Sequence, residues 1–184
     1  MRKKYFIVIA IALLLLSLSW TIITPILFTP AQAEAETTAP HPGFMAPGFT
    51  LQTLQGETHS LEDNRGQPVL VLLWASWCSV CKATMPGLQS VYEAYAPQGF
   101  EILAVNTTFQ DTQSTAINYF QSQGYTYTML LDHDGTVARD YQLHALPTSI
   151  LVAPDGEVLD VIIGSGLSEG YLRARLDSIF SGED

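Results

Sequence analysis

Positive charge is scarce in this chain: 184 residues hold eight lysines and arginines, and three of those, Arg2, Lys3 and Lys4, stand at the N-terminus. From residue 34 onward five basic residues (Arg65, Lys82, Arg139, Arg173 and Arg175) face eighteen acidic ones, a net of −13. A surface of that sign repels nucleic acid and anionic headgroups, so neither is expected to bind this portion. The charges are scattered rather than blocked, as on an ordinary solvated exterior. Cysteine is scarcer still, with two, and histidine numbers four. A structural zinc site takes about four ligands. No second cysteine or histidine pair exists to complete one, which leaves only a site shared between molecules. Asp132-His133-Asp134-Gly135 begins like a calcium loop, but no Glu follows at the required spacing, so a turn is expected there. No resident metal or cofactor is expected, and no internal repeat is visible.

The two cysteines that are present stand as Cys78-Ser79-Val80-Cys81. They follow the apolar run Val69 to Trp74, which reads as a buried strand, and precede Lys82-Ala83-Thr84-Met85, which continues as a helix. A strand that ends in Cys-x-x-Cys at a helix start points to dithiol–disulfide exchange. The helix N-terminus presents unpaired amides and positive dipole charge to the first sulfur. Lowering a thiol from about 8.5 to about 7 costs roughly 2 kcal/mol. A partly buried helix terminus supplies up to about 2 kcal/mol, so Cys78 needs no dedicated base. A purely structural role is the weaker reading, because so short a loop removes little unfolded-chain entropy.

Residues 1–33 are expected to form a membrane anchor or a signal peptide. The apolar run from Tyr5 to about Thr24 is roughly 20 residues, or about 30 Å as a helix, the thickness of the hydrocarbon core. The basic cluster keeps its N-terminal side in the cytoplasm and sends the rest across. Ala31-Gln32-Ala33 resembles a cleavage signal, so release after Ala33 is the alternative to a retained single anchor. Either way the remainder is expected on the extracytoplasmic side. Residues 34–47, rich in Ala, Thr, Pro and Gly, read as a flexible linker. Residues 48–184 then form one domain with room for a sizeable core.

Within that domain a small hairpin is expected around Gln55-Gly56-Glu57. The strand before the cysteines and the helix from Cys78 to about Ala96 follow, with Pro86 bending the helix. Glu101 to Asn106 reads as a doubly covered strand. A helix over 114–123, a strand over 127–131 and a short helix over 136–141 come next. Thr148 to Ala153 and Val158 to Gly164 pair around Pro154-Asp155-Gly156-Glu157, and Ser168 caps a last helix. The expected class is α/β, a central mixed sheet with helices on both faces.

With cysteines, strands and prolines placed, the sequence resembles the thioredoxin superfamily. Within it the chain is similar to the exported, membrane-tethered thiol–disulfide oxidoreductases of the TlpA/ResA type, whose domain is redoxin-like. The residues that carry this are Trp74-Ala75-Ser76-Trp77-Cys78-x-x-Cys81-Lys82 with Pro86 beyond, Leu146-Pro147-Thr148, and Ala46-Pro47-Gly48-Phe49 onward. Cys81 and Pro147 lie 66 positions apart, which leaves room for an extra strand and helix. The resemblance implies a thioredoxin-like fold and a Cys78–Cys81 disulfide, with Cys78 as nucleophile and Cys81 as resolving thiol. It also implies a cis Pro147 in the substrate groove, with Trp77, Leu146 and Thr148 as substrate-binding neighbours. The implied partners are disulfide-containing exported proteins, apocytochrome c among them, and a membrane or exported thiol that supplies electrons.

The chain departs from that family in the groups that would take a proton from Cys81. Leu72 stands where thioredoxins carry a buried Asp, and Thr84 where ResA-type proteins carry a Glu. Resolution by Cys81 is therefore expected to be slow or water-assisted. Ser79-Val80 replaces the common intervening pairs, so reduction rather than oxidation of clients rests on the resemblance. Lys82 is a candidate for biasing the local field and His144 for bordering the groove. A thiol peroxidase is an alternative function. Val71 and Ala75, however, occupy the positions where peroxiredoxins carry the Pro and Thr of their peroxide-orienting motif. A Cu(I) metallochaperone is another alternative, disfavoured by the narrow cysteine spacing.

Overall fold

The computed structural model describes residues 38–182, and the expected anchor or signal of residues 1–33 lies outside them. Among the described residues no helix is long and apolar enough to cross a membrane. Seven strands form one mixed sheet in the order β2-β1-β5-β4-β3-β6-β7. The strands are β1 (Thr50–Thr53), β2 (Thr58–Ser60), β3 (Val69–Trp74), β4 (Glu101–Asn106), β5 (Thr128–Leu131), β6 (Thr148–Val152) and β7 (Val158–Ile163). The helices are α1 (Ser79–Tyr95), α2 (Gln113–Ser122), α3 (Thr136–Asp140) and α4 (Glu169–Ser181).

Strand β3 is buried at every position and lies parallel to β4 and antiparallel to β6. That environment explains its unbroken apolar run: a central strand with both faces covered has no solvent face to make polar. Its side chains divide by parity. Leu70, Leu72 and Trp74 enter one core together with α1, α2 and α4. Val69, Val71 and Leu73 enter the other, closed by α3 and by Phe49 and Leu61 from the N-terminal region. Helix α1 buries Cys81, Met85, Leu88 and Val91, a spacing that keeps one face on the sheet. Full burial of side chains such as Leu88 and Val91 contributes about 1.5–3 kcal/mol each.

Residues 38–47 correct the expectation of a flexible linker. Met45 bridges Thr38 on one side and Glu157 on the other. The Gly43 amide donates to the Val158 carbonyl at 3.0 Å, and Val158 returns a bond to the Phe44 carbonyl at 2.8 Å. Ala46 is buried in the second core. Composition alone missed this, because the anchoring bonds are made by backbone groups that carry no side-chain signature.

An aromatic layer closes the first core behind the dithiol. Trp74 packs against Tyr119 and Phe120 at centroid distances of 6.0 and 6.1 Å, and Phe120 meets Tyr127 edge-on at 5.2 Å. Burial drives the Tyr127 and Tyr125 hydroxyls far above the ordinary phenol range.

Candidate active site

The dithiol sits at the junction of β3 and α1. Cys78 is the N-cap residue of α1, in extended conformation, and its Sγ accepts the Cys81 amide at 3.0 Å. The sulfur thus takes the place of the hydroxyl or carboxylate that ordinarily caps a helix. Cys78 and Cys81 form a disulfide with Cα atoms 5.3 Å apart. Cys81 is fully buried, whereas Cys78 keeps 6% of its surface. Attack from outside can therefore start or end only on Cys78. Among the described residues no group of three acidic, histidine or cysteine side chains is placed to hold a metal.

The Leu146–Pro147 peptide is cis. Leu146 and Trp77 flank Cys78 in a shallow cleft of about 270 Å³ that also includes Ser79 and Val80. Trp77 is 59% exposed, yet its ring is held, because its indole N–H donates to the Gln110 carbonyl at 3.1 Å. Thr148 does not line the cleft. Its side chain is buried, and its hydroxyl donates to the Ala145 carbonyl at 2.7 Å, so it braces the proline turn rather than facing a substrate. Lys82 lies with its ammonium 4.7 Å from the centre of the Tyr119 ring, a cation–π contact. Exposed His144 borders a larger groove of about 770 Å³ that runs away from Trp77 and Leu146, past Phe109, Arg139 and Gln142.

Neither position where the resemblance expects a carboxylate holds one. Leu72 is fully buried in the apolar core that contains Cys81. Thr84 uses its hydroxyl to bond back to the Val80 carbonyl at 3.0 Å, within its own helix.

A polar knot that sequence reasoning did not find holds the segment before the nucleophile. Asp111 accepts the Ser76 amide and the Ser76 hydroxyl, each at 2.6 Å, the Asn106 side-chain amide at 2.8 Å and the Thr112 amide at 2.8 Å. Asn106, fully buried, also reaches the Trp74 carbonyl at 3.4 Å, and the Thr107 amide donates to that same carbonyl at 3.0 Å. Burial by itself would raise the Asp111 pKa, but the bonds from Asn106, Ser76 and Thr112 outweigh it and hold the carboxyl below its ordinary range. The only hint in the sequence is that the apolar strand β4 ends in an asparagine. Asp111, in the loop beyond, carries no periodic signal.

Residues 42–161 match the AhpC/TSA family. The chain belongs to this family. The thiol–disulfide oxidoreductase ResA of Geobacillus kaustophilus is 35% identical over 182 residues, spanning 97% of this chain and 99% of that protein. ResA of Bacillus subtilis is 32% identical over 141 residues, 77% of each chain. Among solved structures, a putative thiol:disulfide interchange protein DsbE from Chlorobium tepidum superposes with a TM-score of 0.70 at 27% identity, covering 76% of this chain and 98% of that one. The AhpC/TSA chain described here is accordingly a thiol–disulfide oxidoreductase with a thioredoxin-like fold.

Proposed function

We propose that the chain reduces disulfides of exported proteins on the extracytoplasmic face of the membrane, with residues 1–33 as the anchor and Cys78 as the nucleophile. The observation that carries the chemistry is the asymmetry of the two sulfurs: Cys78 caps a helix at the rim of a cleft, and Cys81 is sealed in the core behind it. The Cys78 thiolate attacks one sulfur of a client disulfide. The other client sulfur leaves as a thiolate and takes a proton. The Cys81 thiol then gives up its proton and attacks Cys78, the Cys78–client bond breaks, and the second client sulfur departs. Two electrons and two protons pass to the client, and the chain is left with the Cys78–Cys81 disulfide until an exported thiol reduces it.

Leu146, turned by its cis bond to the buried Pro147, forms one wall of the cleft and Trp77 the other, so an extended client segment passes with its sulfur against Cys78. A strongly acidic domain favours basic clients, and apocytochrome c, with its Cys-x-x-Cys-His attachment segment, is the proposed one. The similarity to ResA proteins supports the reaction class; the choice of apocytochrome c rests on the family resemblance, and the charge of the domain is compatible with it.

The test is a trapping experiment. A Cys81→Ser variant should accumulate a mixed disulfide with an oxidised Cys-x-x-Cys-His peptide, resistant to washing and released by thiol reagent. A Cys78→Ser variant should form none. An intact chain that consumes peroxide but yields no adduct would replace this reading with the peroxidase one.

A further inference from the structure

Gln142 is the one non-glycine residue with positive φ among the described residues, at 49°, whereas nine glycines occupy such conformations. It closes the C-terminal end of α3: its amide donates to the Arg139 carbonyl at 2.9 Å, and the next amide, of Leu143, reaches back to the Ala138 carbonyl at 2.8 Å. Both bonds are made by backbone, so glycine would form them without the steric penalty that a Cβ brings to this region. The helix cap therefore gives no reason for a glutamine. Nor does packing: the residue is exposed, and its carboxamide has no hydrogen-bond partner among the described residues.

What the side chain does have is a position. It borders the groove that shares Trp77 and Leu146 with the cleft over Cys78. The jaws of that groove beside the dithiol are apolar: Trp77 is 59% and Phe109 48% exposed. The Phe109 ring is seated on Gly135, where a Cβ would come within 3.1 Å of it. Of the other polar side chains in the groove, those of Arg139 and Trp77 are already engaged, and those of Gln110 and His144 are exposed. Arg139 donates to the Asp134 carbonyl at 2.8 Å and the Thr136 hydroxyl at 2.9 Å, and the Gln110 carbonyl accepts the Trp77 indole. A carboxamide offers two donors and an acceptor on a neutral group, which matches a peptide main chain rather than a charged side chain. Backbone strain kept at a functional groove, where a strain-free residue was open to the fold, points to a use for the side chain.

We propose that Gln142 is a specificity-determining residue, whose carboxamide hydrogen-bonds the main chain of an extended client segment lying in the groove between Trp77, Phe109 and Leu146. The client kind that fits is an unfolded polypeptide with an apolar side chain near its cysteine, set between the Trp77 and Phe109 rings. This rests on the reading of the chain as a reductase of protein disulfides.

The experiment compares insulin, as a polypeptide disulfide, with dithiobis(nitrobenzoate), as a disulfide that has no main chain. Three variants are needed. Q142G removes the side chain and the strain, Q142A removes the carboxamide and keeps the Cβ, and Q142N retains a carboxamide in a residue that tolerates this backbone. Q142G and Q142A should each raise KM for insulin by about five- to ten-fold, the size of one neutral hydrogen bond. Their rates on the small disulfide should stay within about two-fold of wild type, and Q142N should recover part of the insulin affinity. Q142G should also unfold at a higher temperature than wild type. An insulin KM unchanged in Q142G and Q142A, or equal losses on both substrates, overturns the assignment while leaving the reductase reading intact. A wild-type chain that reduces the small disulfide but neither insulin nor the oxidised Cys-x-x-Cys-His peptide overturns the reductase reading and this assignment with it.

Discussion

At the scale of the residue, the nucleophile owes its place to groups several positions away. Ser76 and Trp77, immediately before Cys78, are fastened to Asp111 and to the Gln110 carbonyl across the mouth of the sheet. An asparagine at position 111 turns one acceptor oxygen into a donor facing the donors of Ser76 and Asn106. D111N should therefore lower stability by about 1–3 kcal/mol, read from urea unfolding. The pH dependence has a definite sign. A carboxyl held below its ordinary value near 3.8 stabilises the fold above that value and loses the contribution as pH falls through the depressed one. Wild type should thus lose more stability than D111N on acidification below about pH 4, and equal slopes would show that the knot does not form. A second prediction concerns Cys81, which is fully buried in an apolar core. T84E places a carboxylate at the helix position where the resemblance expects one. Release of a preformed mixed disulfide, followed by stopped flow, should quicken by about a hundred-fold, the low end of general-base effects. An unchanged rate would mean that water already takes the proton efficiently.

Elements set the frame in which those residues meet. Helix α1 starts where it does because Cys78 is extended and its sulfur takes the Cys81 amide. The strand before it is too uniformly apolar to end anywhere but in the core. Helix α4 is held by a different device: the Ser168 hydroxyl accepts the Tyr171 amide at 3.2 Å, and Leu172 and Leu176 are fully buried against the same core as the dithiol. S168A should cost about 1 kcal/mol in thermal or chemical unfolding without altering disulfide reduction. L176A should cost about 2–5 kcal/mol by opening a cavity. Ser168 was legible as a cap, and the strands and helices fall within a residue or two of the expected bounds, because periodicity and turn residues are local signals. The knot around Asp111 and the seating of residues 38–47 were not legible, because each joins segments far apart in the chain, the first through polar side chains with no periodic signal and the second through backbone groups. Thr148 was misread for a related reason: its place beside Pro147 said nothing of where its hydroxyl would turn.

For the whole molecule, charge and topology act together. Of the net −13 beyond residue 33, the described residues 38–182 carry −9, and the reactive cleft of their fold is bordered by Trp77, Val80 and Leu146 and by no carboxylate. Attraction for a basic client is then long-ranged and unspecific, while the cleft makes the short-range contact. Second-order reduction rates for a basic peptide disulfide should fall as salt is raised from about 10 mM to about 200 mM, as the Debye length contracts from about 30 Å to below 10 Å. An acidic peptide of the same length should show the opposite trend. Salt-independent rates for both would exclude electrostatic steering.

The sequence by itself determined the reaction class, because Cys-x-x-Cys between a buried strand and a helix start is a local arrangement whose chemistry follows from spacing and from the dipole of the helix. It also determined the α/β class through the periodicity of its elements. Only the tertiary structure decided that Thr148 turns inward, that Asp111 ties down the approach to Cys78, and that Gln142 holds a strained backbone beside the groove. Those are properties of groups brought together across the sheet, where distance in space replaces distance along the chain.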